Sequence, residues 1–496
     1  METIFMKKNE TLRFELLKQL LYAKSGATSQ QMMDFFTLSS KTFYRYKKQL
    51  SDDLNTVFPQ GDVTIQKKKL LYVIELAPSL TFSYVLDSMR LYYIRISQKF
   101  SILEAVLKRH YISVEALAQD LNLSPSHVYS NLTFLNKLLR PFELKISFSP
   151  SIYKTNFQGA ELNIRTLGFV LFWNVFKGLE WPFEKTPSSY KTLPSAVNDQ
   201  RLSPSQQTRI RYFQNVTYWR TIYRRESLTL SQEFKDYLVY FESVAPTKLF
   251  SNLENVDLEQ INLKDEAFFF GFLSRFLVAN IDSMEERQVI TQSLVQSKLP
   301  LAELTTRTLD KLLTTFKVKL SPDSYLENYY LLIICLIYIR FIGINFRKFL
   351  VDDTTVSKAN WFSSDESSYR SFVKETLGKE PLIRKHLNAG LVSFMAKFFN
   401  SILKSGERDA KLRIFIQHSN NHFIYDFVKN NLLTIFGDTT LEFTFDVGDA
   451  DVIISDAFEG EDSNEKTFHF EHSHDQVSWR ELILFISGKI YTLHNT

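Results

Sequence analysis

The sequence predicts a mainly α, multidomain chain: two N-terminal winged helix-turn-helix domains, then two helical bundles, then a small C-terminal α/β domain. Three observations carry that prediction. A capped pair of short amphipathic helices occurs twice at a fixed spacing. A long middle stretch rich in Phe, Leu and Tyr is helical in pattern, and the whole chain has only 14 Gly and 13 Pro, a scarcity that favours helix over an all-β fold. Strand-like runs alternate with helical ones only after Lys411, the pattern of an α/β sheet. At 496 residues the chain is too long for one core. The expected domains are 1–78, 79–160, 161–297, 298–407 and 408–496.

The clearer helix pair is ISVEALAQDLNLSPSHVYSNLTFLNKLL, Ile112 to Leu139. Val114, Leu117, Ala118 and Leu121 recur at i, i+3, i+4 and i+7, giving the first helix one apolar face. Leu123 closes the turn. Ser124 then Pro125 is a start signal: the Ser oxygen can accept an orphan N–H, and Pro at the first helical position loses no bond. Val128, Leu132 and Leu135 anchor the second helix, leaving Ser126, His127, Ser130 and Asn131 outward with hydrogen-bonding side chains of groove-reading length.

Stepping back 85 positions pairs Leu123 with Leu38, Ser124 with Ser39, Val128 with Phe43, Tyr129 with Tyr44 and Leu135 with Leu50. The earlier copy starts at Thr28 and has a more basic second helix, with Lys41, Thr42, Tyr44, Arg45, Lys47 and Lys48. Each copy is followed by a segment of alternating polarity suited to a two-stranded wing: VTIQKKKLLYVIEL from Val63 and FELKISFSPSIYKTNFQG from Phe142. Lys67, Lys68 and Lys69 fall at the first wing's tip, where cations meet phosphates. The expectation is double-stranded DNA as partner. The second unit would read bases through Ser126, His127, Ser130 and Asn131. The first would attach to the backbone through Lys41, Arg45 and Lys48, with Thr42 and Tyr44 beside them as further DNA-binding residues.

Charge is distributed to match. Residues 1–160 hold 21 Lys and Arg against 13 Asp and Glu, an excess of 8. Residues 408–496 hold 7 against 15, a deficit of 8. The basic surplus therefore travels with the helix-turn-helix copies, and the acidic tail is no second nucleic-acid surface. The surplus is modest, so one copy of the chain should bind weakly and a homodimer better. The single Cys335 excludes a disulfide framework or a cysteine metal site and suits a reducing cytoplasm. Charged residues precede any apolar run at the N-terminus, so no signal peptide is expected. The longest apolar run, Tyr329 to Ile339, is too short to span a bilayer, so no membrane partner is expected either.

After Gly159 the pattern turns helical. Helices are expected over Gln206–Tyr223, Gln232–Ala245, Asp265–Ala279 and Met284–Gln296. After a break at Lys298–Leu301, a second set includes Tyr325–Phe346, Tyr369–Leu377 and Leu387–Leu403. Thr186 to Ser205, with three prolines, reads as a surface loop. In the last domain LRIFIQ, TLEFTF and DVIIS read as strands, with helices over His422–Ile435 and Gln476–Ile486.

Paired winged helices, the step Gly159, Glu161, Ile164, Arg165, then Trp181-Pro182-Phe183 and two helical bundles together resemble the Mga/AtxA/RofA-like virulence regulators of Gram-positive bacteria. The resemblance implies that the bundles are similar to phosphotransferase-system regulation domains (PRD-like). It implies that the last domain is EIIB-like, similar to the IIB subunit of sugar phosphotransferases, and serves dimerisation. It further implies a cytoplasmic bacterial transcription regulator, usually an activator of surface or virulence genes, with phosphorelay proteins as further partners and no enzymatic activity. Two departures bear on this. No histidine lies between His127 and His386, so the first bundle cannot be phosphorylated on histidine. His386, in EPLIRKHLNAG, is the remaining candidate; its plainer reading is a partly exposed helix histidine beside Arg384 and Lys385. After the first strand of the last domain stand Gln417, His418, Ser419 and Asn420, with neither the nucleophilic Cys nor the Gly of a phosphate loop.

His469, Glu471, His472, His474 and Asp475 are metal-ligating types without a rigid i, i+4 pair, and read as a flexible acidic surface; no cofactor or metal is expected. Two alternatives from other classes stay open: a phosphocarrier or enzyme of the sugar phosphotransferase system, and an RNA-binding antiterminator with paired regulation domains.

Overall fold

The computed structural model describes residues 2–23, 25–148, 155–183, 201–247, 249, 261–345, 366–403, 412–419, 422–438, 440–460, 465–471 and 475–495. The chain opens with a short helix α1 (Glu2–Phe5) and α2 (Lys8–Tyr22), then β1 (Ala27–Thr28), α3 (Ser29–Phe36), α4 (Ser40–Val57), β2 (Val63–Lys68) and β3 (Leu71–Leu76). The strands form an antiparallel sheet in the order β1-β3-β2. Gly26, at φ +85°, leads into β1: a Cβ there would stand 2.8 Å from Val73 Cγ2 and 2.9 Å from the Tyr72 carbonyl oxygen, so only glycine fits this close approach. Next come α5 (Phe82–Arg95), α6 (Gln98–Lys108), α7 (Val114–Asp120), α8 (Pro125–Leu138) and a minimal hairpin of β4 (Lys145–Ile146) with β5 (Phe157–Gln158). Residues 149–154, the tip of that second wing, lie outside the described residues.

The middle comprises α9 (Glu161–Phe176), α10 (Pro204–Tyr218) continued by a π-helical turn at Trp219–Tyr223, α11 (Gln232–Val244), α12 (Leu263–Leu277), α13 (Met284–Ser297), α14 (Pro300–Phe316), α15 (Pro322–Phe341), α16 (Glu366–Thr376) and α17 (Ala389–Leu403). The expected break at Lys298–Leu301 is shorter than the sequence suggested. Lys298 ends α13 in the left-handed region at φ +54°, and Pro300 already starts α14. Helix α13 packs on α11, α14 and α15, so a single apolar core runs from the winged helices through the helical sets. Ser203 caps α10, which makes Pro204 and Ser205 its first helical residues rather than loop; residues 186–200 of the expected loop lie outside the described residues. Helix α15 is capped by Ser321 and stops at Phe341 because the chain reverses at Gly343, φ +64°. Cys335 is buried in α15, and burial pushes its thiol up, so it is inert.

The last segment folds as β6 (Leu412–Gln417), α18 (His422–Phe436), β7 (Leu441–Phe443), β8 (Val452–Ser455), β9 (Thr467–His469) and α19 (Gln476–Asn495). The strands pair in the order β7-β6-β8-β9, all parallel. Sequence reasoning missed β9, since three residues carry no usable alternation, and drew β7 too long. The flexible acidic surface expected at His469 and Glu471 is also corrected: both are buried. His472 and His474 lie outside the described residues. Among the described residues no group of His, Cys, Asp and Glu is placed to hold a metal ion, and no helix is long and apolar enough to cross a membrane.

Candidate nucleic-acid interface

The two helix-turn-helix copies match bond for bond at the 85-residue offset. Thr37 (φ +53°) and Asn122 (φ +52°) each put a left-handed residue into the turn. Leu38 N–H donates to Met33 O at 2.9 Å, and Leu123 N–H donates to Ala118 O at 2.8 Å. Thr37 and Asn122 N–H groups donate to Asp34 O and Gln119 O at 3.3 and 3.2 Å, the reverse-turn closure of a helix C-terminus. Ser39 and Ser124 then cap the second helices by accepting from Thr42 N–H and His127 N–H, both at 3.4 Å. Turn and cap together fix the angle at which α4 and α8 leave the body.

Packing decides which face each helix presents. In α4 the buried residues are Phe43, Leu50 and Leu54; in α8 they are Val128, Leu132 and Leu135. Helical geometry places Lys41, Tyr44, Arg45 and Lys48 opposite the first set, and all four are exposed. Thr42 is half-buried beside its cap. The Arg45 guanidinium lies 5.1 Å from the Tyr46 ring centre and the Lys47 ammonium 5.0 Å from that of Tyr72, contacts that splay the cations without neutralising them. Helix α4 is held from behind by Asp53, which accepts from Tyr93 Oη at 2.6 Å and pairs with Arg13 Nη1 at 3.1 Å. Burial there keeps the Asp53 carboxyl above its usual range.

In α8 the corresponding stripe is Ser126, Tyr129, Ser130 and Thr133, all exposed. Tyr129 is 54% exposed and stands where Tyr44, 44% exposed, stands in the first copy. Sequence reasoning missed Tyr129 as a site residue, although the 85-residue pairing of the two tyrosines was its signal. His127 is exposed on the flank. Asn131 is half-buried and its Nδ2 donates to His127 O at 2.8 Å, so its amide is turned onto its own helix.

The first wing reverses over Lys69 and Leu70, with Lys69 at φ +56° and Lys68 paired to Leu71 across the hairpin. Lys67, Lys68 and Lys69 are exposed there, and Leu70 is 76% exposed at the tip. Lys68 Nζ pairs with Glu75 Oε1 at 2.7 Å, which leaves Lys67 and Lys69 as the wing's outward cations.

Residues 84–172 match the family model described as the Mga helix-turn-helix domain. The match supports the resemblance to the Mga-like regulators at the second helix-turn-helix copy. The match runs from the start of α5 into α9 and so covers the second copy; the first lies in front of it. No curated protein matches the chain. Within the matched residues, Glu161 and Arg165 form a buried brace beneath the winged helices. Arg165 Nε donates to Glu161 Oε1 at 2.9 Å, Arg220 Nη2 pairs with Glu161 Oε2 at 2.6 Å, and Arg165 Nη1 pairs with Glu266. Burial pushes the Glu161 carboxyl up, but Arg220 and Arg165 outweigh it and hold the group below its usual range. Gly159, at φ +137°, is required in front of them, since a Cβ would meet the Glu143 carbonyl oxygen at 2.7 Å. Trp181 and Phe183 pack edge-on against Tyr212, ring centres 5.1 and 5.9 Å away, so these motif residues too serve packing.

His386 is not on a helix. It lies exposed in a run of turns over 381–386 just before α17, and its N–H donates to Ile383 O at 2.9 Å. Partial burial, then Arg340, hold its imidazole below the usual value; Glu143, from the second winged helix, acts the other way. Gln417, His418 and Ser419 sit at the C-terminal end of β6, where open α/β sheets bind ligands. Here that edge is filled by the chain itself. Gln417 Nε2 donates to Ser205 Oγ at 3.1 Å, Ser419 N–H donates to Asp456 Oδ1 at 2.8 Å, and His418 Nε2 lies 3.3 Å from Glu471 O. Lys177, closing α9, sends its ammonium into the same edge. It lies 2.8 Å from Asp456 O, 3.3 Å from Glu471 Oε1 and 3.5 Å from Asp87 Oδ1 of α5.

Proposed function

We propose that the chain is a sequence-specific, DNA-binding transcription regulator that inserts α4 and α8 into major grooves, with the lysine wing on the adjacent phosphates. The observation that carries this reading is the 85-residue repetition of one turn geometry, which leaves two stripes of identical spacing exposed opposite the core. The Lys41–Lys48 stripe suits phosphate attachment. The hydroxyl-rich α8 stripe, with His127 alongside, suits base edges, and Asn131 joins it once it gives up its bond to His127 O. The chain acts in a bacterial cytoplasm as a homodimer through its EIIB-like last domain, since an excess of 8 basic residues in the front third supports only weak binding by one copy.

An activating role at surface or virulence genes rests on the family resemblance, as does tuning by carbon supply through PRD-like bundles and phosphorelay proteins. The exposure of His386 between Arg340 and Lys385 supports it as the modified residue, because an added charge of about −2 would bind those cations. The test is a gel shift of the full chain on genomic duplex fragments against RNA hairpins. Retention of particular duplexes supports the reading; equal affinity for all nucleic acids, or preference for the hairpins, removes it.

A further inference from the structure

Lys177 joins three parts of the molecule at one buried atom. It ends α9 in the left-handed region at φ +42° and is 4% exposed. Of the oxygens around its ammonium, Asp456 O and Glu471 Oε1 belong to the last domain, whereas Asp87 Oδ1 belongs to α5. Helix α5 lies between the two helix-turn-helix copies and packs on α4 of the first and on α6 beside the second. A buried ammonium is costly unless it is paired, so drawing these oxygens apart strands charge on both sides. Asp87 is also fixed from behind. It accepts from Arg90 Nη2 at 2.9 Å, and Arg90 Nη1 donates to the Asn174 carbonyl of α9 at 2.7 Å.

Two further attachments of the last domain fall on other elements. At the start of α10, Ser205 N–H donates to Glu459 Oε2 at 3.2 Å, the Ser205 hydroxyl bonds the same carboxylate, and Gln417 Nε2 donates to Ser205 Oγ at 3.1 Å. On α5, the rings of Phe82 and Tyr84 lie 5.8 and 6.1 Å from those of His469 and Phe458. A single contact would act as a pivot. Contacts on α5, the end of α9 and the start of α10 each block rotation about the others, so the last domain and the winged helices hold one relative orientation.

We infer that Lys177 is a positioning residue that fixes the span between the recognition helices of two paired chains, so that the regulator selects the spacing of its half-sites. The inference rests on the homodimer reading above. Helices held rigidly to paired last domains reach two half-sites only at separations that present both to the same side of the duplex, and these recur about every 10 base pairs. A loosely tethered winged helix would accept any spacing that its tether spans.

The test is the affinity of the full chain for duplexes carrying one retained site, or two copies at separations stepped by single base pairs over two helical turns, with sedimentation of the free chain alongside. The wild-type chain should bind the best spacing at least about tenfold more tightly than a spacing about 5 base pairs longer. Lys177→Met keeps an unbranched side chain and removes the charge; it should cut that ratio below about threefold while single-site affinity stays within about twofold. Tyr84→Ala, at a position 37% exposed, should lower the ratio by a smaller factor. A dimer indifferent to spacing, or a ratio that survives Lys177→Met, overturns the inference and leaves the DNA-binding reading standing. Should Lys177→Met lose single-site affinity through misfolding, an unchanged ratio in Tyr84→Ala overturns it instead. A chain that sediments as a monomer removes the homodimer reading and the inference with it.

Discussion

Mild acid should loosen the last domain from the winged helices, and His469 is the group through which it acts. This histidine, on β9, is buried with neither ring nitrogen hydrogen-bonded, and its ring lies 5.8 Å from that of Phe82 at the start of α5. Burial lowers its pKa from 6.5 to about 4, against the opposing pull of Asp87 and Glu471. A neutral histidine in the folded state that charges when released binds fewer protons folded than unfolded. Its contribution is therefore intact above pH 6.5 and is lost as pH falls toward 4. With those two values the loss between pH 7.5 and 5.5 is about 1 kcal/mol, rising toward about 3 kcal/mol below pH 4. His418, also lowered by burial, adds in the same direction. The perturbation is His469→Phe, which keeps the ring against Phe82 and removes the titrating nitrogens. Urea unfolding at pH 7.5 and 5.5 is the assay. The wild-type chain should lose about 1 kcal/mol more than the variant over that interval. Equal losses in the two proteins would refute the assignment of the acid response to His469.

Arg165→Ala should destabilise the chain by about 3–5 kcal/mol, because it strands Glu266 and half of Glu161 in the core; thermal unfolding reads it. Lys69→Gly relieves the left-handed backbone at the wing tip and should stabilise the front sheet by about 1 kcal/mol while weakening DNA binding slightly, measured by urea midpoint and gel shift together. Ser130→Arg places a cation where Arg45 stands in the first copy and should raise affinity for random duplex DNA, with the salt slope steeper by about 1. Tyr129→Ala should weaken specific complexes and leave random-sequence binding nearly unchanged, as titrations on the two duplexes would register.

The front of the fold was legible because its signals are local. Cap, turn and apolar stripe occur within some two dozen residues, and the second occurrence at 85 positions reinforced the first; the bonds at Leu38 and Leu123 repeat that spacing. The wing strands followed from alternation, and the start of α8 from Ser124 and Pro125; α14 and α15 start earlier than the apolar pattern suggested, at Pro300 and Pro322. What escaped was set by tertiary contact. Strand β9 exists because β8 pairs with it, not because Thr467–His469 favours extension. The segment around His469 and Glu471 looks solvated in composition, yet Lys177 of α9, nearly three hundred residues earlier, draws Glu471 inside. Asn131 looked like an outward base reader, but its amide takes the local alternative of the carbonyl one turn back, His127 O, which is not a tertiary effect. Glu161 and Arg165 stood out as a motif, but that they brace Arg220 and Glu266 is visible only once three elements distant in sequence meet.

The most direct measurement of the DNA-binding reading is affinity for a retained genomic duplex at several salt concentrations, in the wild-type chain and in Arg45→Ala/Lys48→Ala. If these side chains meet phosphates, the logarithmic salt slope should fall by about 2 in the double variant, with affinity lost on specific and random duplexes alike. An unchanged slope, or no binding by the wild-type chain even at low salt, would contradict it.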